Sequence, residues 1–215
     1  MPADRIHLIR HGEVHNPGGV LYGRLPHFRL SDLGHEMAKS AATKVASTAA
    51  AEGRNIVKVL ASPLLRTQES AAPLSSTFGV EVQTDDRLIE PYNIFEGRKL
   101  TASHILIRPH LYFHLRNPQK PSWGEPYESI AARMMSAIED AWNSVASGDV
   151  VIVSHQLPIV MVQLTVAGKP LAHNPKQRRC SLSSITTLER QGERFVEVGY
   201  VDTAANHKVI DRGAV

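Results

Sequence analysis

Short apolar runs alternate along the chain with longer segments in which apolar residues recur every three or four positions. The short runs are rich in Ile, Leu and Val and end at polar residues or glycine, as buried strands do. They cover residues 5–10, 56–62, 80–88 and 149–155. Near the C-terminus, residues 181–190 and 194–202 flank Gln191-Gly192-Glu193 and predict a closing β-hairpin.

The longer segments predict helices over residues 30–50, 63–79, 125–148 and 157–168. Ser31 is placed to cap the first of these helices, and Pro63 is tolerated in the first turn of the second. Strands that alternate with helices predict an α/β fold with three layers, α/β/α, in which a mostly parallel sheet is the central layer. The C-terminal hairpin is expected to add an antiparallel edge to that sheet.

Residues 91–124 are irregular and rich in Pro, Asn, His and Trp. We interpret them as an insertion that forms a lid over one end of the sheet. The sequence shows no internal repeat and no linker, so residues 1–215 are expected to form a single domain.

Composition narrows the class of protein. Hydrophobic residues make up 42% and charged residues 21% of the 215-residue chain, as in soluble globular proteins. The formal net charge is only +3, and the densest basic cluster is confined to residues 176–179, so no nucleic-acid partner is expected.

The single cysteine, Cys180, excludes an intrachain disulfide and is interpreted as structural. The chain shows neither a membrane-spanning run nor a signal peptide, which predicts a cytoplasmic location without a membrane partner.

Candidate chemistry lies where the predicted strands end. The first strand ends in Arg10-His11-Gly12, the second leads to Arg66 in the following helix, and the third is followed by Glu90. The fourth ends in Ser154-His155. Ligands of open α/β sheets bind beyond the carboxyl ends of the strands, so these side chains are expected to meet at one edge.

The residue types predict phosphoryl chemistry. The planar guanidinium groups of Arg10 and Arg66 suit the oxygens of a phosphate. A neutral histidine between them can attack phosphorus, and a nearby carboxylic acid can protonate the leaving oxygen and later deprotonate water. Arginines and a second histidine supply the positive field, so neither a metal nor another cofactor is expected.

A metal site at His11 and His15 is the competing interpretation of the N-terminal motif. The spacing His11-Gly12-Glu13-Val14-His15 fits neither H-E-x-x-H nor H-x-x-E-H. Gly12 and the following Asn-Pro-Gly-Gly also disfavour the helix that such pairs require. We therefore expect His15 to lie in a loop near the rim of the pocket.

The ordered set of motifs resembles the histidine phosphatase superfamily, also called phosphoglycerate mutase-like. "LIRHGE" resembles the R-H-G signature, and "YGRLPHFRLSDLGHEMA", "ASPLLRTQESA", "RLIEPYNIFEG", "WGEPYESIAARM" and "VVIVSHQLPI" are similar to later family segments. The resemblance covers nearly the whole chain and implies the phosphoglycerate mutase-like fold.

The resemblance also implies a role for each residue. His11 is the phosphorylated nucleophile and Glu90 the proton donor and acceptor. Arg10, Arg66 and His155 hold the phosphoryl oxygens, while the Gly12 carbonyl fixes the His11 ring. Asn16 and Tyr22 complete the expected substrate-binding and phosphate-binding set.

Departures from the family pattern lie on the substrate side. Val14 stands where the family often has Ser or Thr, Asn16 arrives one residue early, and Phe95 replaces a tryptophan. Because residues 91–124 offer aromatic residues rather than the basic pattern of mutases, we favour a phosphomonoesterase acting on a small phosphorylated metabolite. A phosphoglycerate mutase and a non-catalytic phospho-ligand binder remain as alternatives. The oligomeric state is left open, a homodimer included.

Overall fold

Six strands form one sheet in the computed structural model, which describes residues 2–99 and 124–205. The strands are β1 (Arg5–Arg10), β2 (Ile56–Ala61), β3 (Val82–Thr84), β4 (Asp149–Ser154), β5 (Ile185–Gln191) and β6 (Arg194–Val201). Their order across the sheet is β3-β2-β4-β1-β5-β6. The first four of these are mutually parallel, and β5 runs antiparallel to both β1 and β6. The predicted mostly parallel sheet with an antiparallel edge hairpin is therefore confirmed.

Helices cover both faces of this sheet. They are α1 (Asp32–Ala51), α2 (Leu65–Phe78), α3 (Tyr127–Asn143) and α4 (Gln156–Val166), with short 3-10 helices at Asp86–Leu88 and Pro175–Gln177. Along β4, Val151 and Val153 pack with α1 and α2, whereas Val150 and Ile152 pack with α3 and α4. This alternation follows from the two-residue period of a strand and separates two cores, which confirms the three-layer α/β/α prediction.

Several boundaries differ from their sequence prediction. Ser31 caps α1 as expected, accepting a hydrogen bond from the Gly34 N–H at 3.0 Å. The helix predicted from Pro63 begins at Leu65, so Ser62 and Pro63 remain outside it. The third strand ends at Thr84 because Asp85 caps the 3-10 helix by accepting from the Arg87 N–H at 2.9 Å.

The predicted insertion is described only at its two ends, residues 91–99 and 124, and its remaining residues lie outside the described part. Asn93 and Gly124 form an isolated antiparallel bridge, so the ends of the insertion meet. The lid and the single domain over 1–215 stay predictions. Among the described helices, none has both the length and the apolar character that a membrane crossing requires.

Candidate active site

The carboxyl ends of β1, β2 and β4 bring the predicted site residues together. The His11 N–H donates to the Ser154 carbonyl at 3.1 Å, and the Ser62 N–H donates to the Val153 carbonyl at 3.0 Å. The Ser154 hydroxyl donates to the Leu88 carbonyl at 2.8 Å, which holds the segment leading to Glu90 over the end of β4. Helices α2 and α4 both begin at this edge, so their N-terminal dipoles favour an anion there.

His11 is buried and held in one orientation. Its Nδ1 lies 2.8 Å from the Gly12 carbonyl, a contact in which Nδ1–H donates and Nε2 keeps its lone pair. Burial, followed by the charges of Arg66 and Arg10, holds the pKa of His11 well below its usual value. The ring is therefore neutral near pH 7, and its free nitrogen is suited to nucleophilic attack.

Gly12 is held closely by the start of α1. A Cβ at this position would come within 2.4 Å of the Gly34 carbonyl oxygen, and a Cβ at Gly34 within 2.1 Å of the Glu13 carbonyl oxygen. The Gly12 N–H also donates to the Ser70 hydroxyl at 3.1 Å. The loop that orients His11 is thus fixed between α1 and α2 by two glycines that leave room for backbone contact.

His155 lies beside His11, with ring centroids 5.2 Å apart. Its Nε2 is 2.8 Å from the Ser62 hydroxyl, while the Arg66 Nη2 donates to its Nδ1 at 3.2 Å. Burial and then the Arg66 charge hold the pKa of His155 well below its usual value. The arginine therefore faces a neutral ring whose Nε2–H donates to Ser62.

Arg66 is completely buried in the first turn of α2. Its Nη2 also donates to the Gly23 carbonyl at 2.7 Å, and its guanidinium lies over the Tyr22 ring at 4.8 Å. Within the described residues, Nε and Nη1 of Arg66 have no hydrogen-bond partner. Buried N–H groups of a cation are costly to leave unpaired, so this geometry suits an anionic ligand.

Arg10 supplies a second buried cation at the same edge. Only 1% of the residue is exposed, and its Nη1 donates to the Cys180 carbonyl at 2.8 Å. Burial raises the pKa of the Cys180 thiol to about 11, so the thiol is protonated and fits the structural interpretation. The contribution of Cys180 to the site is its main-chain oxygen.

Glu90 is the buried carboxyl group of the cluster. Burial raises its pKa to about 7, although Arg66, Arg10, Arg178 and Arg133 all act in the opposite direction. Its Oε2 lies 3.4 Å from the His155 Nδ1. Because the histidine is neutral, this contact is not an ion pair. A carboxyl group that titrates near pH 7 is suited to both donating and accepting a proton.

Tyr22 lies beside Arg66 and His11, whereas the Asn16 amide contacts the backbone of its own loop. Tyr22 lies under Arg66 and 6.3 Å from the His11 ring, centroid to centroid. The Asn16 amide donates to the Val20 carbonyl at 2.8 Å and accepts from the Val20 N–H at 3.2 Å. Those two contacts close the loop 16–20, and a role for Asn16 in phosphate binding stays a prediction.

Sequence reasoning missed three groups that the fold brings to this site. Ser62, at a strand end, received no role, although it contacts His155. Arg178 gave no signal beyond its place in the basic cluster at 176–179, yet its charge acts on Glu90 and its Nη1 donates to Gln156 Oε1 at 3.2 Å. Arg24, whose Nε donates to the Glu90 carbonyl at 2.6 Å, gave no signal beyond its place in a family-like segment.

The residues from His11 to His15 do not form a helix, and His15 is exposed. Over residues 2–99 and 124–205, no group of three or more His, Cys, Asp or Glu side chains is arranged to hold a metal ion. Of the two histidines in the N-terminal motif, His11 is therefore buried and His15 lies at the surface.

Comparison with known proteins agrees with this architecture. The family model for the histidine phosphatase superfamily (branch 1) matches residues 6–203. The chain is 47% identical over 207 residues to an uncharacterized protein of Mycobacterium tuberculosis, covering 95% of this chain and 100% of the relative.

More distant matches carry functional names of their own. A probable phosphoglycerate mutase GpmB of Photorhabdus laumondii is 25% identical over 217 residues, covering 98% of this chain and 97% of that protein. The crystal structure of a putative α-ribazole-5′-P phosphatase from Escherichia coli is similar with a TM-score of 0.70 and 22% identity, over 91% of this chain and 94% of that one. The family match over almost all of the chain shows that this protein belongs to the histidine phosphatase superfamily.

Proposed function

We propose that the protein is a phosphomonoesterase that works through a phosphohistidine at His11 and acts on a small phosphorylated metabolite without a metal. The observation that supports this most directly is the neutral His11 ring, whose Nε2 is kept free by the contact of Nδ1 with the Gly12 carbonyl. Buried arginine N–H groups at the same strand ends are suited to the phosphoryl oxygens.

In the first step, the lone pair of His11 Nε2 attacks phosphorus, and the bond between phosphorus and the ester oxygen breaks. Protonated Glu90 gives its proton to that oxygen, so an alcohol leaves and a phosphohistidine remains. Arg10 and Arg66 compensate the charge on the equatorial oxygens, which is where phosphoryl transfer needs stabilisation.

In the second step, the Glu90 carboxylate takes a proton from water as the water oxygen bonds to phosphorus. The bond between phosphorus and Nε2 breaks, which restores neutral His11 and releases inorganic phosphate. A pKa of Glu90 of about 7 allows the same group to act as acid and then as base near neutral pH.

Hydrolysis rather than transfer to a second phosphate acceptor is favoured by the sequence of residues 91–124. A mutase must bind a bisphosphorylated intermediate and exclude water, which calls for additional cations around the pocket. This segment contains the basic residues Arg98, Lys99, Arg108, Arg116 and Lys120, but not in the pattern of mutases. It also contains the aromatic residues Tyr92, Phe95, Tyr112, Phe113 and Trp123, which suit a substrate with an apolar or ring-bearing part.

The test is phosphate release from a panel of phosphorylated metabolites in excess EDTA. Wild type is compared with His11→Ala and with His15→Ala, the matched control at the exposed histidine four residues away. We expect wild type and His15→Ala to release phosphate at similar rates and His11→Ala to release essentially none.

Turnover that is lost in EDTA and restored by a divalent cation contradicts the proposed mechanism, as does turnover by His11→Ala. Absence of release from every ester would favour a mutase, which is then assayed with 3-phosphoglycerate and 2,3-bisphosphoglycerate. Inactivity in both assays would favour a phospho-ligand binding protein.

A further inference from the structure

We infer that Arg24 is a positioning residue for Glu90, fixing the backbone of the acid so that its carboxyl group meets the ester oxygen. This inference rests on the proposed function, in which Glu90 transfers the proton. Arg24 itself is not assigned any contact with the substrate.

The contact is direct and made to the main chain. The Arg24 Nε donates to the Glu90 carbonyl at 2.6 Å. Glu90 lies between the end of the 3-10 helix at Leu88 and Pro91, and it belongs to no helix or strand. A residue outside regular structure takes its position from such individual contacts, so the Arg24 guanidinium is well placed to determine where the Glu90 backbone lies.

Arg24 is held in turn by a carboxylate clamp. Its Nη2 donates to Glu125 Oε2 at 3.2 Å, and Arg133 binds the same carboxylate through Nε to Oε1 at 2.8 Å and Nη2 to Oε2 at 3.0 Å. The Arg24 N–H also donates to Glu96 Oε1 at 2.9 Å. The Glu125 contact therefore holds the Arg24 guanidinium, and the Glu96 contact holds the Arg24 backbone.

Gly23, the residue before Arg24, contacts Arg66, the arginine proposed to bind the phosphoryl group. The Gly23 carbonyl accepts from Arg66 Nη2 at 2.7 Å. The dipeptide Gly23-Arg24 thus binds the buried cation of the phosphate pocket through its carbonyl and the proposed acid through its side chain. It sets the distance between the group that holds phosphate and the group that protonates the leaving oxygen.

The rate of proton transfer depends on where the Glu90 carboxyl group lies relative to the ester oxygen. Proton transfer requires hydrogen-bond distance to the ester oxygen, and a displacement of about 1 Å can cost about 100-fold in rate. The Arg24 side chain is 38% exposed, so its ion pair with Glu125 adds little to folding stability. Its main expected effect is on catalysis rather than on stability.

The test compares two esters that differ in their need for an acid. An alkyl phosphate has a leaving group that must be protonated, whereas the leaving group of p-nitrophenyl phosphate departs as a stable anion. We expect Arg24→Gln to lower kcat/KM for the alkyl ester by about 10–100-fold, within the range of general-acid effects, and to change kcat/KM for p-nitrophenyl phosphate less than about threefold. This ratio reports the steps up to departure of the leaving group and excludes hydrolysis of the phosphohistidine, in which Glu90 acts as the base for both esters.

Two further variants control the result. Arg24→Lys retains the charge and should recover part of the alkyl-ester rate. Arg29→Gln removes an exposed arginine from the same loop and should match wild type. Thermal unfolding of each variant checks that the fold is intact.

An equal fall in kcat/KM for both esters overturns the inference, because it would make Arg24 a contact of the substrate rather than a positioning residue for the acid. Unchanged kinetics in Arg24→Gln overturns it as well, while leaving the proposed function in place. A wild type that hydrolyses neither ester contradicts the proposed function and the inference together.

Discussion

The His155 Nδ1 lies 3.4 Å from the Glu90 Oε2, and both groups are held towards their neutral forms. Burial is the largest cause in each case. Arg66 donates to the same Nδ1, so His155 has no proton there to offer the carboxyl group. Glu90 is thus the group of this pair that has a proton to transfer at neutral pH.

The rate with alkyl phosphates should fall as Glu90 loses its proton. Since the pKa of Glu90 is about 7, we expect kcat/KM for an alkyl ester to decline above roughly pH 7 in wild type. In Glu90→Gln the rate should be lower by about 100-fold or more and this decline should disappear. The measurement is a pH profile of both proteins, and an identical decline in the variant would assign it to another group.

The free energy of unfolding should also depend on the protonation of the Glu90 carboxyl group. Its pKa is raised from 4.5 to about 7 on folding, so the native state holds the proton more tightly than the unfolded state. The contribution is fully present below about pH 4.5 and is lost as pH rises through 7, by about 3 kcal/mol in the free energy of unfolding. Glu90→Gln should therefore be about as stable as wild type near pH 5 and more stable at pH 8. Denaturant unfolding at both pH values measures the difference, and a variant no more stable than wild type at pH 8 would contradict it.

The charge of Arg178 should lower the pKa of Glu90. Its positive charge stabilises the Glu90 carboxylate and lowers the pKa, so Arg178→Gln should move the decline in alkyl-ester activity to higher pH. Arg179→Gln is the matched control, because the Arg179 guanidinium pairs with Glu197 and lies over the Tyr200 ring at 4.6 Å. A shift of equal size in both variants would show a general effect of net charge.

The glycine beside the nucleophile should tolerate no side chain. In Gly12→Ala the new Cβ would meet the Gly34 carbonyl oxygen at 2.4 Å, and neither backbone can move freely. We expect a loss of about 2 kcal/mol or more in the free energy of unfolding, as for overpacked sites. Gly18→Ala, in the same loop, places its Cβ 3.7 Å from Val20 and should change stability by less than about 0.5 kcal/mol. Equal stability of the two variants would contradict the packing described for Gly12.

Much of the fold follows from the sequence because its signals are local. The two-residue alternation in β4 and the cap at Ser31 each depend on a few neighbouring residues. The parallel arrangement then places Arg10, Ser62 and His155 at one edge, since the residues after parallel strands converge. Boundaries were less accurate where side-chain caps compete, as at Asp85.

The rest of the site depends on contacts between distant segments. Arg24 meets Glu90 across 66 positions, and the Gly12 N–H meets Ser70 across 58. No local pattern distinguishes an arginine that binds a buried carbonyl from one that points to solvent. The same applies to Asn16, whose amide closes its own loop through the Val20 backbone.

The most direct test of the account is chemical trapping of the phosphoryl group on His11. Wild type and Glu90→Gln are mixed with p-nitrophenyl phosphate, quenched in alkali, in which phosphohistidine survives, and analysed by peptide mass spectrometry. Glu90→Gln should accumulate the adduct because it lacks the base that activates water. We predict a phosphoryl group on the peptide containing His11, more of it in Glu90→Gln than in wild type, and none in His11→Ala. Hydrolysis at a normal rate with no phosphoryl group on His11 in either protein would contradict the account.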